Sequence, residues 1–196
     1  MHCTIFDTPV VNTFLRAFSR ITLRLTGWTV EGQLPDKATK SVLIAAPHTS
    51  NWDLPYTLML AFVLRLRVYW MGKHSLFKGP LGPVMRWLGG IPVNRTRAHN
   101  MVPRMATLLR EHPETILCVP PEGTRSKVRE WKTGFYHIAD QAGVPILMAA
   151  VDAEHRQLLM LGQFHPSGDV DEDMVKIREH YRPFKGIRPE NASDPD

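Results

Sequence analysis

Cysteine is scarce in this sequence, with only Cys3 and Cys118 among 196 residues. Two cysteines in unrelated surroundings are too few for a disulfide framework, and Cys118, inside an apolar run, reads as a buried, reduced thiol of a cytosolic chain. Long apolar runs are missing too. The longest without a charge, Leu54–Leu64, has eleven residues, well short of the ~20 a membrane-spanning helix needs. No basic region followed by an apolar stretch and a small-residue cleavage site opens the sequence, so no secretory signal is expected. The Gly-x-Ser-x-Gly signature of a serine nucleophile elbow is absent. With 43% hydrophobic and 22% charged residues, the composition suits one globular domain with a sizeable core.

Acid is the most informative shortage. Residues 54–110 carry nine Lys and Arg and no Asp or Glu, while ten of the nineteen acids fall after residue 151. A one-sign stretch of this length creates a positive face that attracts anions. Nucleic acid, a lipid headgroup and a phosphorylated small substrate all fit that description.

Residues 9–26 read as a helix, with Val10, Val11, Phe14, Leu15, Phe18, Ile21 and Leu25 at helical spacing and Arg16, Arg20 and Arg24 forming a second stripe. Such a helix either lies in a membrane interface or packs on its own domain. Beyond it, strands are expected at Trp28–Gly32, Ser41–Ala46, Arg67–Met71, Ile91–Asn94, Thr115–Val119, Val144–Val151 and Arg156–Leu161. Helices are expected from Asn51 to about Leu64, at Asn100–His112, at Thr133–Ala142 with Gly143 closing it, and at Met174–Tyr181, with a turn and a short helix in 75–88. Strands alternating with helices predict an α/β class, a mostly parallel central sheet flanked by helices, with the N-terminal amphipathic helix added.

The buried-type strand Ser41–Ala46 runs into Pro47 and His48, and Asp53 follows five residues later. On one continuous helix those side chains would lie about 140° apart. They meet only if His48 sits in the turn leaving the strand and Asp53 in the first helical turn, with Ser50 or Asn51 as N-cap. The helix dipole then favours an ionised Asp53, which takes a hydrogen bond from one imidazole nitrogen and leaves the other as a base. This is the His–Asp half of a catalytic triad without its own nucleophile, an arrangement suited to a substrate hydroxyl as the attacking group. One His and one Asp with no nearby third ligand do not close a metal site, so none is expected.

Two further constellations share the positions after apolar strands. Gly90-Ile-Pro-Val-Asn-Arg95 brings an arginine suited to phosphate, and Val119-Pro-Pro-Glu-Gly-Thr-Arg125 brings Glu122, Gly123, Thr124 and Arg125 in succession. Together with His48-Thr-Ser-Asn-Trp-Asp53 and Val144-Pro-Ile146, in this order, they resemble the four motif blocks of the glycerophospholipid acyltransferases, the 1-acylglycerol-3-phosphate acyltransferase or PlsC-like enzymes. The resemblance spans residues 41–151. Pro47 stands where the family usually has Asn, and Pro120 where it usually has Phe.

The resemblance implies that His48 is the general base and Asp53 orients it. It further implies that Arg95, Glu122, Gly123, Thr124 and Arg125 shape the polar, phosphate-binding side of the acceptor site. Lys73 joins that set by its place on the basic stretch. An acyltransferase domain over 28–190 is expected behind a membrane-interfacial helix over 1–27. The implied partners are a membrane lipid surface and acyl-CoA or acyl-carrier protein as co-substrate, with no cofactor and no nucleic acid. The implied location is the cytoplasmic face of the inner membrane, as a peripheral protein. The acceptor stays open among lysophospholipids, aminolipids and other alcohols. A thioesterase and a non-catalytic binder of anionic lipid or nucleic acid are the rival readings.

Overall fold

The computed structural model describes residues 3–32, 34, 39–93, 100–112 and 114–193. Seven strands form one sheet: β1 (Thr29–Glu31), β2 (Ser41–Ala46), β3 (Val68–Lys73), β4 (Gly90–Val93), β5 (Ile116–Cys118), β6 (Ile146–Asp152) and β7 (Gln157–Phe164). Their order is β1-β7-β6-β2-β5-β3-β4. The five strands from β6 to β4 are mutually parallel, β7 runs antiparallel to β6, and β1 pairs parallel with β7. The expected mostly parallel α/β architecture is therefore present.

Helices α1 (Pro9–Leu25), α2 (Asp53–Leu64), α3 (Leu81–Trp87), α4 (Met101–Glu111), α5 (Gly134–Ala142) and α6 (Val170–Glu179) cover the two faces. Because successive strand side chains point to opposite faces, β2 divides between two cores. Val42, Ile44 and Ala46 pack with residues of α4, α5 and α6, whereas Leu43 packs with residues of α1 and α2 and with Phe77. With both faces covered, β2 needs apolar residues throughout, which is why it reads as a near-continuous run. As the fourth of seven strands, it sits at the middle of the sheet.

Two expectations are corrected in detail. The last helix begins at Val170 rather than Met174, capped by the Asp169 side chain, which accepts the N–H groups of Asp171 and Glu172 at 3.1 Å. Its first turn is acidic, which suits the positive end of the helix but hides the apolar period. The expected single apolar face of α1 is in fact two. Val11, Leu15 and Leu23 pack inward, while Val10, Phe14, Phe18, Ile21 and Leu25 face outward. No helix among the described residues is long and apolar enough to cross a membrane.

Candidate active site

The parallel strands β2, β5 and β3 lie side by side and end at the same edge of the sheet. Loops at the carboxyl ends of such strands are where open α/β sheets bind ligands. The loop after β2 carries His48, the loop after β5 carries residues 119–125, and β3 ends in Lys73.

His48 lies two residues beyond β2, and Asp53 is the first residue of α2. The His48 Nδ1 stands 2.9 Å from the Asp53 Oδ2. The same oxygen accepts the N–H groups of Thr49 and Ser50, each at 2.8 Å. The expected cap is thus inverted: Trp52 precedes the helix in helical conformation, and the Asp53 carboxylate folds back on the turn. Ser50 accepts the Trp52 N–H at 3.2 Å, so its oxygen bonds the turn. The Asp53 side chain is 7% exposed and that of His48 23%. With Nδ1 bonded to Asp53, Nε2 is the nitrogen left for a substrate.

Both residues line a cleft of about 570 Å³. Its polar lining includes Asn51, Lys73, Ser75, Thr124 and Arg125. Its apolar lining includes Leu54 and Leu58 of α2, Val68 and Trp70 of β3, Met85, Cys118 and Val151. The Arg125 guanidinium donates to Asn51 Oδ1, which ties the loop after β5 to the turn that carries His48. Gly123 has φ +63°, the left-handed region, and a Cβ there would come within 3.0 Å of Lys132 Nζ.

Of the expected site residues, the structure thus gathers His48, Asp53, Lys73, Gly123, Thr124 and Arg125 around one cleft. Arg95 lies outside the described residues. Glu122 departs from expectation. It is 2% exposed and does not line the cleft, and its Oε1 accepts the His48 backbone N–H at 3.0 Å. Burial pushes its pKa up, partly offset by that N–H. Its hydrogen bond supports the turn that holds the imidazole.

Burial also raises the Cys118 thiol to about 12, which disfavours its thiolate. The sequence reading gave no cleft position to Asn51 or Ser75, which depend on which loops meet. It also missed the apolar lining of the cleft, whose residues are scattered over several elements. Among the described residues no three His, Cys, Asp or Glu side chains are grouped to hold a metal ion.

The fold and site define an α/β domain with a His–Asp pair lining a cleft whose walls hold both basic and apolar side chains. Comparisons with known proteins place it further. A family model described as Acyltransferase matches residues 27–152. The 1-acyl-sn-glycerol-3-phosphate acyltransferase of Haemophilus influenzae is 30% identical over 143 residues, covering 68% of this chain and 58% of that protein. That of Escherichia coli is 30% identical over 157 residues, covering 76% and 62%. A crystal structure of the 1-acyl-sn-glycerophosphate (LPA) acyltransferase PlsC from Thermotoga maritima shares the fold, with a TM-score of 0.61 at 23% identity, over 89% of this chain and 77% of that one.

The chain belongs to the acyltransferase family, in its PlsC-like branch. The match to the two curated relatives spans about 58% and 62% of their lengths.

Proposed function

We propose that this protein transfers a fatty acyl group from an acyl thioester to the hydroxyl of a lysophospholipid-type acceptor, with 1-acylglycerol-3-phosphate the first candidate. The observation that carries this reading is the 2.9 Å contact of His48 with Asp53 at a cleft also lined by Lys73 and Arg125. His48 Nε2 takes the acceptor's hydroxyl proton as the oxygen attacks the thioester carbonyl. Asp53 holds the ring and stabilises the imidazolium. The C–S bond then breaks, and the thiolate leaves and is protonated from the imidazolium. A thiol with a pKa near ~8.5 is a good leaving group, so no enzyme-bound acyl intermediate is required. Lys73 and Arg125 attract the acceptor's phosphate, and Arg125 offers a planar fork to its oxygens. The apolar side chains lining the cleft suit the acyl chain. The reaction needs no metal or cofactor beyond its thioester co-substrate, either acyl-CoA or acyl-carrier protein.

Membrane attachment belongs to the same proposal. Val10, Phe14, Phe18, Ile21 and Leu25 are 53–82% exposed along one side of α1. Arg20 and Arg24 are exposed on the same helix. An apolar stripe with flanking arginines suits the surface of an anionic bilayer, where the lipid acceptor resides. A peripheral position on the cytoplasmic face of the inner membrane fits, and the basic residues are read as facing lipid phosphate rather than nucleic acid.

The test is a thiol-release assay with one acyl-CoA against a panel of lysolipids, wild type beside His48→Ala. Acceptor-dependent release that the variant loses is the expected result. Free fatty acid as the only product would move the assignment to a thioesterase.

A further inference from the structure

The chain after α6 turns back across the catalytic loops, beyond the 27–152 stretch that the family model matches. It is anchored first by Tyr181, a buried residue whose hydroxyl donates to the Ile44 carbonyl of β2 at 3.1 Å. It then meets Thr49, the residue after the catalytic imidazole. Gly186 lies flat against that turn. A Cβ there would stand 2.7 Å from Thr49 Oγ1 and 3.2 Å from the Pro47 carbonyl oxygen, and its φ of +68° is itself in the glycine-favouring region. The Arg188 backbone N–H donates to Thr49 Oγ1 at 3.1 Å. The Asn191 Nδ2 donates to the Thr49 carbonyl at 3.1 Å. The Ser193 hydroxyl accepts the N–H of Val128, three residues past Arg125, at 3.0 Å.

Thr49 is 2% exposed, and its own N–H goes to Asp53 at 2.8 Å. Its N–H, carbonyl and hydroxyl oxygen are therefore each engaged, the first by the dyad and the other two by residues 186–191. The turn is held from one side by Glu122 and Asp53 and from the other by this segment. Removing the second hold would leave a buried carbonyl and hydroxyl to find new partners by rotating the turn. The ring of His48 rides on that rotation.

We infer that residues 186–191 form a positioning strap for the catalytic base, acting through Thr49 to hold the His48 turn against Asp53. The strap touches no substrate. Its role in catalysis rests on the acyltransferase reading above, but its effect on the His48–Asp53 hydrogen bond does not. A small displacement of a reacting group is enough to cost up to about a hundredfold in rate. Loss of the strap bonds is thus expected to lower kcat by about tenfold or more while leaving the donor KM within about twofold, since none of residues 186–191 lines the cleft.

Thr49→Val, Asn191→Ala and the pair together test this, with Thr49→Ser as the conservative control. Two quantities are read: kcat and KM for thiol release, and the low-field proton NMR resonance of His48 Nδ1–H, identified by its absence in His48→Ala. The inference predicts a shifted or rapidly exchanging resonance and a lowered kcat in Thr49→Val and Asn191→Ala. It also predicts recovery of both in Thr49→Ser and a double variant no worse than the sum of the singles. Should Asn191→Ala lower the melting temperature, Asn191→Asp keeps the shape, loses the donor and repeats the measurement. An unchanged resonance with kcat within about twofold of wild type overturns the strap. Wild type inert toward every acceptor, with the resonance still altered in the variants, overturns the acyltransferase reading and supports the strap.

Discussion

Asp53 Oδ2 lies 2.9 Å from the Nδ1 of His48 and within 2.8 Å of the backbone nitrogens of Thr49 and Ser50. One carboxylate oxygen therefore sets both the ring and the turn that carries it. Asp53→Asn replaces an acceptor with an amide that must donate from one side, which disfavours the tautomer with a free Nε2 base. We expect kcat to fall by about 10²–10⁴, close to the loss in His48→Ala, with the fold retained. Thiol-release kinetics beside circular dichroism check this, and Asp53→Asn at more than a tenth of wild-type kcat contradicts it.

Glu122 supplies a pH signature. Its folded pKa is raised above the ordinary 4.5 by burial. The folded state therefore holds its proton where the unfolded state has released it. The stability this group contributes is complete below the unfolded value and is lost as pH rises through the folded value. Glu122→Gln keeps an acceptor for the His48 N–H and removes the titration. Its melting temperature relative to wild type is expected to rise as pH increases from about 4.5 upward. A difference that stays flat over that range, or slopes the other way, removes the assignment. Glu122→Ala, which strips the His48 N–H of its acceptor, is expected to lower kcat instead.

Arg125 is exposed at the cleft and engages Asn51. Hydrogen bonds to charged groups contribute about 1.5–3 kcal/mol, so Arg125→Ala is expected to raise the KM of a phosphorylated acceptor about 10- to 100-fold. The donor KM should move little. Steady-state kinetics with each substrate varied in turn separate the two, and a larger effect on the donor reverses the assignment.

The two sides of α1 make opposite predictions. Phe14 and Phe18 are 67% and 53% exposed, so the double change to Glu is expected to leave the melting temperature nearly unchanged and weaken co-sedimentation with anionic liposomes. Leu23 is 3% exposed, and Leu23→Ala should destabilise the fold by about 2–5 kcal/mol with liposome binding retained by the folded fraction. Undiminished sedimentation of the Phe14→Glu, Phe18→Glu chain would falsify the interfacial role.

Much of the site was legible because catalysis needs particular residue types at short spacing. His48 and Asp53 are five residues apart, and local stereochemistry let them meet only with His48 in the turn before the helix and Asp53 in its first turn, which is where the structure places them. The helix of residues 170–179 was only half legible, since its acidic first turn carries no apolar period. The partner of Glu122 was not legible, because the His48 N–H that it accepts belongs to a strand loop 74 residues away.

The sequence by itself marked most of the elements, the α/β class and His48 and Asp53 as a candidate pair, because periodicity, turn chemistry and a five-residue spacing are local properties. Tertiary structure alone decided that α1 splits its apolar residues between core and surface, that Glu122 faces inward, and that residues 186–191 fasten Thr49. Each of those depends on which surfaces come together when the sheet closes. That pairing is set by burial summed over the whole chain, and no short stretch of residues encodes it.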